Sequence, residues 1–150
     1  GTADLQVSTA GLGGGAWDTS AKAATLVLSG LVPGAAPTNG YSFSLWNNSS
    51  TGVSFNISAK ATVTGVGPAD QSKLLLNIYE NGTDPDTGSN STGWITLANW
   101  QADPFKNLNS NILAAGQKDY RLAAKLDPSA DNNWQGLTVV MTFTVTGTQP

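Results

Sequence analysis

The sequence predicts an all-β protein built as an antiparallel two-sheet sandwich, either a jelly roll or an Ig-like fold. Residues 53–63 alternate apolar and polar side chains without interruption, and residues 137–145 repeat the pattern with one exception, Val140. Alternation with a period of two indicates strands that place one face against a core. Turns rich in Gly, Pro and Asp separate the apolar runs at short intervals, which is typical of sandwiches and barrels.

The other strands follow from shorter runs of the same kind, giving about eight or nine in all. They are predicted at residues 3–8, 25–31, 41–46, 74–79, 95–97 and 120–126. Residues 11–15 read as a Gly-rich hinge, and residues 80–93 as a long polar loop. Rough helical spacing of apolar residues predicts one short helical turn near 104–113. The whole chain, 1–150, is therefore interpreted as a single β-sandwich domain.

Composition favours an extracellular protein that binds neither nucleic acid nor membranes. Charged residues make up 11% of the chain, against about 25% in an average soluble domain. The net charge is −3 with seven basic residues, so no basic stripe for nucleic acid is visible. The longest apolar run is far shorter than the roughly 20 residues that span a bilayer. We therefore expect an extracellular or cell-surface location, with no membrane insertion of the mature chain.

The side-chain inventory argues against an enzyme. The chain contains no His and no Cys, which excludes Ser-His-Asp triads, Cys-His pairs, and zinc sites that use His or thiolate ligands. Residues 11–15 lack the spacing and the Lys of a phosphate-binding loop. A hydrolase that uses two carboxylates remains as the last enzymatic alternative.

One loop is a candidate cation site. Glu80, Asp84 and Asp86 lie close together in a segment that also contains Asn and Thr. Calcium prefers six to eight oxygen ligands, which carboxylates, amides and carbonyls supply. The alternative is a solvated turn, in which Asp binds nearby backbone N–H groups.

Five Asn-x-Ser/Thr sequences are candidate N-glycosylation sites. They begin at Asn47, Asn48, Asn56, Asn81 and Asn90. Asn56 lies on the polar face of its predicted strand, and the other four are expected in loops, where a glycan leaves the core undisturbed.

Tryptophan is frequent in this chain, with five residues in 150. Exposed Trp side chains stack on sugars, so a carbohydrate-binding or adhesive module of a cell-surface protein is a second functional hypothesis. The alternative is that these side chains fill the core or an interface.

Several segments resemble the TasA/camelysin-type proteins of bacterial biofilm fibres and the related archaeal bundling pilins. The matching segments, in the order in which that family has them, are residues 1–5 (GTADL), 28–34 (LSGLVPG), 41–49 (YSFSLWNNS) and 133–149, which starts NWQG and continues as the last strand. Camelysin-type members are described as metalloproteases, but this chain has no HExxH motif to support that activity.

The resemblance implies a jelly-roll structural subunit that polymerises by donor-strand complementation. The donor segment would be residues 1–10, with Ala3, Leu5, Val7 and Thr9 facing one way. The tether would be Gly11, Gly13, Gly14 and Gly15. The partner would be the same protein in a head-to-tail homopolymer, with lateral bundling of filaments as a further expectation. Residues 3–9 could equally be the subunit's own first strand.

Overall fold

The computed structural model describes residues 2–19, 22–87 and 90–150 of the chain. Gly1 of the expected donor segment and Gly88 of the polar loop therefore lie outside the described residues. Within these ranges the strands are β1 (Leu5–Ser8), β2 (Ala23–Leu28), β3 (Thr38–Asn47), β4 (Phe55–Thr64), β5 (Leu74–Glu80), β6 (Ile95–Thr96), β7 (Lys106–Ile112), β8 (Gln117–Leu126) and β9 (Val139–Thr148). Helix α1 covers Leu97–Trp100, and 3₁₀ turns cover Pro85–Thr87 and Asn132–Trp134.

The strands form two antiparallel sheets that pack face to face. One sheet has the order β1-β3-β8-β5-β6, and the other has the order β2-β9-β4-β7. Strand β2 pairs with β9, β3 with β8, β4 with β7, and β5 with β6. This nested pairing is that of one long hairpin rolled into two sheets, which is the jelly roll. The predicted fold class is confirmed.

The alternating segments adopt the predicted register. Met141 and Phe143 are fully buried, whereas Thr144 is exposed. Ile57, Ala59 and Ala61 of β4 are buried in the same way. Because successive side chains of a strand point to opposite faces, the sequence pattern alone fixes which face meets the core.

Aromatic side chains fill the space between the sheets. Trp100 of α1 meets Phe143 edge to face, with ring centroids 5.2 Å apart at 88°. Its indole N–H donates to the carbonyl oxygen of Leu76 at 3.1 Å. Phe43 of β3 stacks on Tyr120 of β8 with centroids 5.4 Å apart. Core packing therefore spans both sheets and includes the helix.

The prediction of a helical turn near 104–113 is wrong. Lys106–Ile112 forms strand β7, in which Leu108, Ser110 and Ile112 are buried at a period of two. Phe105 and Leu113, which suggested helical spacing, are exposed by 36% and 70%. The helix lies earlier, at Leu97–Trp100, where the Thr96 side chain accepts a bond from the N–H of Asn99 and caps it.

Tight turns join the strands where the sequence places Gly and Asp. A Cβ on Gly65, whose φ is +87°, would lie 2.3 Å from the carbonyl oxygen of Thr138, so only Gly fits at that close approach. The Asp70 carboxylate accepts bonds from the backbone N–H and the hydroxyl of Ser72. These bonds lower the pKa of Asp70. In the described part of the chain, no helix has the length and apolarity needed to cross a membrane.

Candidate functional site: the first strand and the loop that covers it

Strand β1 is an edge strand whose apolar side chains enter the core. It pairs antiparallel with β3, with Leu5 opposite Asn47 and Val7 opposite Leu45. Leu5 and Val7 are each only 2% exposed. Full burial of such a side chain contributes about 1.5–3 kcal/mol. The sandwich therefore depends on a strand in this position, and in the single chain its own residues 5–8 supply it.

A pocket that opens to solvent lies beside the start of β1. It has a volume of about 140 Å³ and is lined by Ala3, Leu5, Lys22, Phe55, Thr146 and Gly147. Ala3 and Thr9, which were expected to continue the apolar face of the donor, lie outside the strand and are exposed. The buried anchors of the segment are therefore Leu5 and Val7.

The outer side of β1 is covered by the segment that follows it. Gln6 and Ser8 point away from the core yet are only 6% and 1% exposed. The backbone N–H of Val7 donates to the carbonyl oxygen of Asp18 at 3.1 Å, and the N–H of Asp18 donates back to Val7 at 2.8 Å. The Ser8 hydroxyl donates to the carbonyl oxygen of Gly15. This covering loop, residues 9–19, forms hydrogen bonds with the edge of β1 that does not pair with β3.

The glycines of the covering loop allow it to fold close to the sheet. Gly11, Gly13, Gly14 and Gly15 all have positive φ, from +75° to +133°, a region that costs other residues strain. The Gly13 N–H lies 3.1 Å from each carboxylate oxygen of Asp119. The loop is thus bound to the sheet in the single chain. Its predicted role as a hinge concerns motion and stays a prediction.

Asp119 is a residue of this site that sequence reasoning missed. It lies on the outward face of β8, where the Ser44 hydroxyl donates to its Oδ1 at 2.6 Å and also lies 3.3 Å from the carbonyl oxygen of Gly11. Asp residues most often occur in turns, where the carboxylate binds nearby backbone N–H groups. Asp is uncommon inside strands, and Asp119 directly precedes the alternating run predicted at 120–126, so no feature of the sequence distinguished it from a turn residue.

Two Trp side chains pack on this outward face of the five-stranded sheet. Trp17 of the covering loop packs on Trp46 of β3, with centroids 5.7 Å apart and planes inclined by 56°. Both are half-buried, whereas Trp100 and Trp134 are buried in the core. Trp94 is half-buried, with the Lys125 Nζ 4.1 Å from its ring centroid. The five Trp residues are therefore divided between core filling and partly exposed positions.

The structure corrects one glycosylation candidate. Asn47 was expected in a loop, but it ends strand β3 and is fully buried. Its side-chain amide donates to the carbonyl oxygens of Val53 and Ile112 at 2.8 and 2.9 Å and accepts from the N–H of Ser49. A glycan on this nitrogen would remove those bonds and has no space. Asn48, Asn56, Asn81 and Asn90 are exposed, and their glycosylation stays a prediction.

The proposed calcium ligands have separate partners. Glu80 ends β5 and forms a 2.9 Å ion pair with Lys118. Asp84 accepts the N–H of Asp86, and Asp86 accepts the indole N–H of Trp94 at 3.1 Å. Among the described residues, no three acidic side chains are grouped so as to hold a metal ion. Calcium binding remains a hypothesis based on sequence.

Comparisons of the chain with models of protein families, with curated proteins and with solved structures give no match. The candidate site consists of the buried edge strand β1 and the Gly-rich loop that joins it to the rest of the sandwich.

Proposed function

We propose that this protein is the structural subunit of an extracellular filament, a pilus or biofilm matrix fibre, in which β1 of one subunit completes the sheet of the next. The observation that carries the proposal is that Leu5 and Val7 are buried although they belong to an edge strand, which pairs with β3 alone among the described strands of its sheet. A strand in this position can form the same ladder with its own β3 or with that of another subunit.

The connection to β2 is long enough for such an exchange. Residues 9–22 join the two strands, and fully extended they span up to roughly 50 Å. A ten-residue strand such as β4 is only roughly 33 Å long. Donation from one subunit to the next uses two different surfaces, so the contact is head-to-tail and propagates as an open fibre.

The same strand contacts are made in the monomer and in the polymer. Exchange therefore adds little contact energy by itself, and high local concentration favours the chain's own strand. Fibres accordingly require a high subunit concentration or further contacts between subunits. Lateral bundling of filaments would supply such contacts.

A carbohydrate-binding module of a surface protein is the second candidate. The partly exposed Trp17, Trp46 and Trp94 favour it, because a sugar needs an accessible ring face. Trp17 and Trp46 are inclined toward each other, however, and Lys125 covers one face of Trp94. Monodisperse monomers that bind polysaccharide and never form fibres in electron micrographs would favour this candidate.

Engineered disulfides test the exchange directly, because the chain has no Cys of its own. Ser8 and Ser44 are opposite residues of β1 and β3, and facing Cα atoms of a sheet are close enough for a disulfide. We expect an oxidised Ser8→Cys/Ser44→Cys chain to remain monomeric, and to assemble into uniform fibres after reduction. Normal polymerisation of the oxidised chain would contradict strand exchange.

A mixture of two single variants identifies the donor. Chains with only Ser8→Cys, mixed with chains with only Ser44→Cys, should form disulfide-linked dimers within fibres. The matched control is a mixture of Thr25→Cys and Thr142→Cys chains. This pair is equally opposed, between β2 and β9, and should give no link between chains. Fibres without the Ser8–Ser44 link would assign assembly to lateral packing instead.

A further inference from the structure

Strand exchange requires the covering loop to open. The paired bonds between Val7 and Asp18 join the strand to a residue only a few positions before β2 of the same chain. If β1 moves to a neighbouring subunit, Asp18 and β3 both stay with the rest of their own chain. The bonds from β1 to its own Asp18 and its own β3 must therefore break, and residues 9–17 must leave their folded conformation to reach the neighbour.

Three further contacts fasten the loop to strands that do not move. The Gly13 N–H binds the Asp119 carboxylate of β8. Ser44 of β3 binds the same carboxylate, and its hydroxyl lies 3.3 Å from the carbonyl oxygen of Gly11 in the loop. Trp17 packs on Trp46 of β3. Hydrogen bonds to a charged acceptor are stronger than those between neutral groups. The bond to the Asp119 carboxylate therefore stabilises the closed loop more than a bond to a neutral acceptor would.

Trp17 also requires the glycine beside it. A Cβ on Gly14 would lie 2.3 Å from Cζ2 of Trp17, and Gly14 has a φ of +75°. Any larger residue at position 14 would force the indole ring or the loop backbone to shift. The closed conformation of the loop therefore depends on Gly14.

We propose that residues 11–18 form a latch that holds β1 in its own sheet, with the Asp119 carboxylate as its anchor on β8. The latch rests on the proposed function in one respect: it would set how readily a subunit releases its first strand for assembly. A subunit with a closed latch is a stable monomer. Opening the latch frees the edge of β1 and lowers the barrier to its departure.

Amide hydrogen exchange of the monomer tests the latch without reference to fibres. The N–H of Val7 points to Asp18 and reports the latch. Because N–H groups alternate in direction along a strand, those of Gln6 and Ser8 point to β3 and report the ladder. We expect Asp119→Ala to accelerate exchange at Val7 by about tenfold or more. The acceleration at Gln6 and Ser8 should be smaller.

Asp103→Ala is the matched control. It also removes a carboxylate, but one that pairs with Lys60 of the other sheet, and it should leave exchange at Val7 unchanged. Gly14→Ala is a second opening variant, for use if Asp119→Ala fails to fold, and should also accelerate exchange at Val7. Unchanged exchange at Val7 in a folded opening variant, or equal acceleration by Asp103→Ala, would overturn the latch.

Assembly of the same variants separates the latch from the filament function. Both opening variants should form fibres with a shorter lag than the unmodified chain. If exchange at Val7 accelerates and no variant forms fibres or the Ser8–Ser44 link, the latch is supported and the filament function is refuted. If fibres form with an unchanged lag although Val7 is unprotected, strand release does not limit assembly, and the regulatory role of the latch is refuted.

Discussion

The hydroxyl groups of Ser110 and Tyr120 lie 2.8 Å apart inside the sandwich and join its two sheets. Ser110 belongs to β7 of the four-stranded sheet, and Tyr120 belongs to β8 of the five-stranded sheet. Both side chains are buried. This bond satisfies two polar groups that would otherwise be costly to remove from water.

Stability should fall in alkaline solution because of Tyr120. Burial raises the pKa of Tyr120 above its ordinary value of 10.0, and the nearby Glu80 carboxylate adds to this, while the bond from Ser110 opposes it. Above pH 10 the unfolded chain loses this proton and the folded chain keeps it. The stabilisation is therefore complete below pH 10 and is lost as the pH rises.

The measurement is the free energy of unfolding of the unmodified chain and of Tyr120→Phe between pH 9 and pH 11.5, a window chosen around the ordinary Tyr pKa. The unmodified chain should lose up to about 1.4 kcal/mol more per pH unit than the variant in the upper part of this range. Equal pH slopes would show that Tyr120 ionises as readily in the folded state.

Removing the Phe143 ring should destabilise the core. Phe143 is fully buried and packs edge to face on Trp100. Phe143→Ala is expected to reduce the free energy of unfolding by about 3–5 kcal/mol. Thr144→Ala, one residue further on the exposed face, should change it by less than about 0.5 kcal/mol. If chemical denaturation shows similar losses of unfolding free energy for the two variants, the register of β9 is contradicted.

Asn47 should be a structural residue whose replacement is costly. Its amide binds carbonyl oxygens after β3 and at the end of β7. Asn47→Ala leaves these groups buried without a partner, so we expect a loss of at least about 2 kcal/mol. Asn48→Ala, at the exposed neighbour, is the control, with an expected change under about 0.5 kcal/mol. Equal effects of the two substitutions would show that the Asn47 bonds contribute nothing.

Glycans on native material should map to exposed asparagines. Peptide mass spectrometry is expected to find modification among Asn48, Asn56, Asn81 and Asn90, and none at Asn47. Asn47 is fully buried, so its side-chain nitrogen is inaccessible for modification in the folded chain. An intact mass equal to the bare 15.4 kDa chain would refute glycosylation altogether.

The calcium hypothesis predicts a ligand-dependent melting temperature. An ion that binds only the folded chain, at a concentration 100 times its Kd, stabilises it by about 2.7 kcal/mol. Adding calcium should then raise Tm, a chelator should reverse the rise, and an Asp84→Asn/Asp86→Asn chain should not respond. A Tm that is insensitive to calcium and chelator in the unmodified chain would refute the site.

Part of the covering loop was visible in the sequence, and part was not. The glycines at 11, 13, 14 and 15 predicted a Gly-rich hinge, which stays a prediction, and in the single chain they adopt positive φ values within a folded loop. The partners of the segment, Ser44 and Asp119, are distant in the chain. Their roles depend on which strands become neighbours, and periodicity carries no information about that.

The sequence by itself determined eight of the nine described strands, their inward faces and the class of fold, because alternation of side chains is a local property that survives any arrangement of the sheets. The sequence pattern gave a wrong prediction at 104–113. There the apolar Phe105 and Leu113 lie just outside a short strand, and their spacing resembles that of a helix. Tertiary structure alone decided that Asn47 is buried, that β1 pairs with β3, and that residues 9–19 fold over β1. These features arise from contacts between residues far apart in the chain, and their free energy exists only once the strands have been brought together.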